Sequence, residues 1–213
     1  MIQLNFKKRI SFGFGIIYTI ILFAAIYVVL QLSSIGGHVE LIYNHPFKVS
    51  NAIRDIRIEC YKIDHFYSDF NVVESRSEAD SLMTGISHCE SIIDSNFKVL
   101  YSQYLGKKSD IDSVFNALVV LRNVKNKLYE HKIENKTESI KLITKNFNSA
   151  QLDKIIGFSK VISDFAFDRA QNEMNQSFSD EKQTHIILIS ILALISTFVL
   201  LLSSLISRSI TIY

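Results

Sequence analysis

Two uncharged apolar segments constrain this chain more than any other feature. Residues 10–37, which open ISFGFGIIYTIILFAAIYVVLQL, contain no Asp, Glu, Lys, Arg or His, and neither do residues 186–207, IILISILALISTFVLLLSSLIS. A bilayer core takes roughly 20 apolar helical residues. The pattern therefore predicts membrane-spanning helices over 10–32 and 186–207. The first segment also lies where a signal peptide would, but its apolar run is longer than a signal core and no small-x-small cleavage site interrupts it cleanly. One Pro, seven Gly and no Trp in 213 residues favour long, rarely interrupted helices over strands.

Charge supplies an orientation. Lys7, Lys8 and Arg9 precede the first segment and Arg208 follows the second. All 21 acidic residues and 19 of the basic ones lie between the two, giving that region a formal charge of −2. The positive-inside bias predicts that 1–9 and 208–213 are cytoplasmic and that 33–185 lies outside. Nothing here is basic enough to suggest a nucleic-acid partner, and the even mix of signs suits a solvated surface.

Past the first segment, Ile35, Val39, Ile42, Pro46, Val49, Ile53, Ile56, Cys60, Ile63, Tyr67 and Phe70 recur in alternating steps of four and three. That is the seam of a packed helix. Pro46, the only proline, falls on it. It is expected to act as a hinge or kink in a continuous helix; the alternative is a helix start capped by Asn44. A second helix should begin at the capping box Ser75-Arg-Ser-Glu78, bury Ala79, Leu82, Ile86, Cys89, Ile93 and Leu100, break its stripe at Asn96, and stop at Gly106. A third should start at Ser109-Asp-Ile-Asp112 with Ile111, Val114, Leu118, Leu121 and Leu128 inward, and fail around 133–136. A short piece over 137–147 and a last helix capped by Asn148 or Ser149 follow, the latter packing Leu152, Ile155, Phe158, Ile162, Phe165 and Ala166. The expected class is all-α: an antiparallel up-down four-helix bundle flanked by two transmembrane helices.

The stretch Tyr43-Asn-His45-Pro46-Phe-Lys-Val49, with Tyr104-Leu105-Gly106, Arg122-Asn-Val-Lys and Phe165-Ala166-x-x-Arg169-Ala170, resembles the four-helix-bundle sensor domains of bacterial chemoreceptors (methyl-accepting chemotaxis proteins) and sensor histidine kinases. The match is to their Tyr-x-His-Pro subgroup. The resemblance implies a homodimeric signal-transduction receptor in the bacterial inner membrane, with a periplasmic sensor and a cytoplasmic kinase or other output module. Ser207-Arg208-Ser-Ile210-Thr-Ile-Tyr213 is similar to the start of the coupling junction, with Tyr213 where a proline is usual. The output domain would then be missing, from a fragment of a longer receptor or from a truncated product. The runner-up is a membrane-anchored helical interaction module without a small-molecule ligand.

Arg54, Arg57, Tyr61 and Ser50 share a stripe with Tyr43, Phe47, Asp64 and Ser68. Arginine suits a carboxylate because its planar fork binds it bidentately, and related receptors place first-helix arginines on small anionic ligands. The competing reading pairs Arg54 and Arg57 with Asp55, Glu59 or Asp64 on the surface. Cys60 and Cys89 stand at matching heights on two antiparallel helices, which allows a disulfide or two small buried hydrophobes. The six His show no metal-ligand spacing, and no catalytic triad, CxxC or phosphate loop is present. No enzyme activity, metal or cofactor is expected.

Overall fold

A computed structural model of the chain describes the backbone of residues 6–211 and the side chains of 11–144 and 150–204. Every regular element in it is helical: α1 (Phe6–Ile42), a π-helical turn (Tyr43–Phe47), α2 (Lys48–Asp69), α3 (Arg76–Gln103), α4 (Lys108–Ile133) and α5 (Thr137–Thr211). Two helical stretches, within Ser11–Asp69 and Ala150–Ser204, are long and apolar enough to cross a membrane. The side chains of Lys7, Lys8, Arg9 and Arg208, and all of Tyr213, lie outside the described residues.

The chain forms two compact units. In one, α1 up to Glu40 runs antiparallel to α5 from Glu173 onward. Gly13 meets Leu202 there, and a Cβ at position 13 would come within 2.8 Å of the leucine side chain. Phe12, Phe14, Tyr18, Phe23, Leu192 and Leu200 are exposed on this pair.

The other unit, Leu41–Asn172, holds the core. Val49, Ile53, Ile56, Cys60, Ile63 and Tyr67 are buried along α2, and Phe70 just past its end. They meet Ala79, Ile86, Cys89, Ile93 and Leu100 of α3, Ile111, Val114, Leu118, Leu121 and Leu128 of α4, and Leu152, Ile155, Ile162 and Ala166 of α5. Ion pairs lace α3 to α4: Arg122 to Asp94 at 2.6 Å and Lys125 to Glu90 at 2.5 Å. Tyr129 donates to Asp80 at 2.5 Å further along.

Local chemistry explains the helix ends. The Ser75 hydroxyl accepts from the Glu78 amide while the Glu78 carboxylate accepts from the Ser75 amide, the reciprocal capping box. The α4–α5 turn closes with Asn135 at φ 58°, its Lys136 amide donating back to the His131 carbonyl at 2.8 Å. That left-handed stop is one asparagine tolerates.

Several expectations need correction. The helix continues through Pro46, so the alternative start capped by Asn44 does not form; the Asn44 amide oxygen accepts from Lys48 at 3.1 Å. Before the π turn the seam shifts phase: Val39 is exposed, and Gln31, Ile35, His38 and Ile42 are the partly buried positions. The π turn inserts a residue, which the four-three count does not anticipate. In α3, Phe97 takes the buried position beside the Asn96 break. α4 starts at Lys108, one residue before Ser109, and no side chain caps it; Asp110 and Asp112 instead accept from Tyr104 and Tyr101. α5 runs unbroken through 148–149, whose side chains lie outside the described residues, so the short piece and the last helix are one. Phe158 and Phe165 are partly exposed there, and Ser159 is buried between them along with Ile162.

Candidate functional site

The α2 face with the two arginines lies outside the core. Tyr43 stacks on Phe47 at 5.8 Å between ring centroids, and the Lys48 ammonium lies 5.5 Å from the Tyr43 ring. One turn on, Ser50 is half-buried. The Arg54 guanidinium bonds its neighbour Asp55 at 3.1 Å, with both side chains well exposed. A solvated pair of that kind stabilises by at most about 1 kcal/mol and is readily exchanged. Arg57 is half-buried, and among the described residues no carboxylate lies within ion-pair distance of it. Tyr61, four residues later, is exposed. Residues 50, 54, 57 and 61 therefore share one helix face, offering a fork donor, a second arginine, a hydroxyl and a phenol.

Behind that face lies a buried polar cluster. Glu59 is almost fully buried and accepts from Lys62 at 2.7 Å through one oxygen. Burial works to raise its pKa. The Lys62 hydrogen bond and the facing Cys89 thiol outweigh burial and hold it below its ordinary value. Cys60 and Cys89 are both buried free thiols. Burial pushes Cys60 up to about 12 and Cys89 up to about 11. Thiols held protonated are poor nucleophiles and behave as small core residues. Among the described residues no group of three or more His, Cys, Asp or Glu has the geometry to hold a metal.

The π turn carries the other feature of note. Pro46 is buried, and the His45 imidazole donates from Nδ1 to the Gln103 carbonyl at 3.2 Å. Tyr104 packs edge-on against Phe165 at 5.1 Å and donates to Asp110 at 2.8 Å. Between them is a cleft of about 10 Å³ lined by His45, Pro46, Val49, Tyr104, Phe165 and Arg169, room for about one water and far smaller than a metabolite pocket. The sequence marks each of these segments but not their meeting, because residues 45, 104 and 165 come together only through long-range packing. A Cβ on Gly106 would collide with the Tyr104 ring, which is why that turn carries glycine.

No family model, curated protein or solved structure matches the chain.

Proposed function

We propose that this chain is a two-span signal-transduction receptor. Residues 33–185 form an up-down four-helix-bundle sensor outside the cytoplasm, and both termini are cytoplasmic. Paired as a homodimer in a bacterial inner membrane, it passes an external stimulus to a cytoplasmic kinase or other output by helix movement. The carrying observation is α5. Its 75 residues hold the core positions Leu152 to Ala166 and the apolar run 186–207 in one unbroken helix. A helix that continues from a core into an apolar run offers a route by which displacement passes from one to the other. Exposed Phe12, Phe14, Phe23 and Leu200 support lipid contact, since soluble surfaces rarely present so much contiguous apolar area. The resemblance of the Tyr43–Val49 and Phe165–Ala170 segments to bundle sensors supports the class.

The proposed stimulus is a small anion on the α2 face. Arg57 provides the unpaired guanidinium, and Arg54 exchanges its surface pair with Asp55 for the ligand. Thermal unfolding of the whole chain in lipid nanodiscs, screened against small carboxylates, amino acids and inorganic anions, tests this. A ligand at 100 times its Kd adds about 2.7 kcal/mol, and the shift should vanish in Arg57→Ala. No shift with any of these compounds contradicts the anion site and favours the interaction-module reading, for which exposed Ile58, Tyr61 and Val72 on and beyond α2 would be the contact surface.

A further inference from the structure

We propose that His38 is a proton-operated clamp between the two helices that lead into the apolar segments. His38 follows the first uncharged segment directly, and Glu173 and Asp180 shortly precede the second. The imidazole reaches across from α1 to α5 with both ring nitrogens engaged. Nδ1 lies 2.9 Å from the Glu173 carboxylate and Nε2 lies 3.5 Å from the Asp180 carboxylate. Ser34, one turn earlier on α1, donates to the same Asp180 oxygen at 3.2 Å. The three side chains are 15%, 10% and 26% exposed, so water screens the contacts only in part.

The chemistry of the ring makes this arrangement depend on a proton. Neutral imidazole carries one N–H. It can donate to Glu173 or to Asp180, and its lone pair then faces the other carboxylate. Imidazolium donates to both. Uptake of one proton from solvent thus turns a repulsive nitrogen–oxygen approach into a second charge-assisted hydrogen bond. Among the described residues, the charged groups in contact with His38 are Glu173 and Asp180, both on α5; on its own helix the nearest acid is Glu40, two residues on. Glu173 and Asp180 are seven residues apart and share a face of α5. The second contact forms when the ring carries both protons and goes when one of them leaves. Its loss frees the two helices to slide or separate, a small movement of the kind that packed helices use to switch. The effect on signalling rests on the receptor reading; the clamp does not, because its test reads helix separation and not ligand binding.

Pulsed-EPR distances on the whole chain in lipid nanodiscs provide that test, with spin labels at Val39→Cys and Gln176→Cys. Both positions are exposed, and the native Cys60 and Cys89 are buried away from the label. The expected result is a single narrow distance at about pH 5.5 and a longer or broader distribution at about pH 8, on either side of the histidine range. His38→Gln should give the broad distribution at both values, and Glu173→Gln should remove the pH response from the other side of the contact. Identical distributions at the two pH values, or a pH response that survives His38→Gln, would overturn the proposal.

Discussion

Tyr67 illustrates how single groups fix the core. Its ring is fully buried and its hydroxyl donates to the Leu121 carbonyl at 2.9 Å, tying α2 to α4. Burial, with the nearby Glu90 charge, drives its phenol well above the ordinary tyrosine value, so it stays a donor at any working pH. Tyr67→Phe keeps the ring and removes only the hydrogen bond; guanidinium unfolding should show a loss of about 1 kcal/mol. Glu78 works at the surface. Its carboxylate accepts from the Ser75 and Glu74 amides at 3.0 and 2.9 Å, and these bonds hold its pKa below the ordinary value. A depressed carboxylate stabilises the fold above its unfolded pKa, and that contribution disappears as pH falls through the folded value. Between about pH 7 and about pH 3, which bracket the ordinary carboxylate pKa, the unfolding midpoint of the parent chain should therefore fall further than that of Glu78→Gln.

At the scale of elements, the turns carry distinct and separable costs. Asn135 holds a left-handed backbone that alanine adopts at a cost of roughly 1–2 kcal/mol. Asn135→Ala should lower stability by about that amount in urea unfolding, and Asn135→Gly should be close to neutral. The helices themselves were largely legible in the sequence. Ser75 and Glu78 announce α3 because a capping box is a local device, and Val49 to Phe70 announce α2 because burial on one face needs only helical spacing. The π turn was not legible. Pro46 signals a disturbance, but whether the chain breaks, kinks or inserts a residue depends on its surroundings in the fold, here the cleft it lines with Tyr104 and Phe165. For the same reason Val39 was expected inward and His38 was not. Asn148 and Ser149 look like a cap, yet the long helix continues through them, since packing on either side overrides weak local preference. The arginine face shows the same limit. Spacing places Arg54, Arg57 and Tyr61 together, but the short Arg54–Asp55 pair depends on side-chain conformations that spacing does not fix.

For the whole molecule, the account depends on the two apolar segments being spans, with the core between them on the side away from the termini. Val72, in the α2–α3 turn, is 72% exposed and so reports the side on which the core lies. The direct measurement is labelling with a membrane-impermeant maleimide in sealed vesicles of known orientation, comparing Val72→Cys with Gln3→Cys; buried Cys60 and Cys89 set the background. The account predicts that Val72→Cys labels in right-side-out vesicles and Gln3→Cys only in inverted ones. Labelling of both positions from the same side would contradict it.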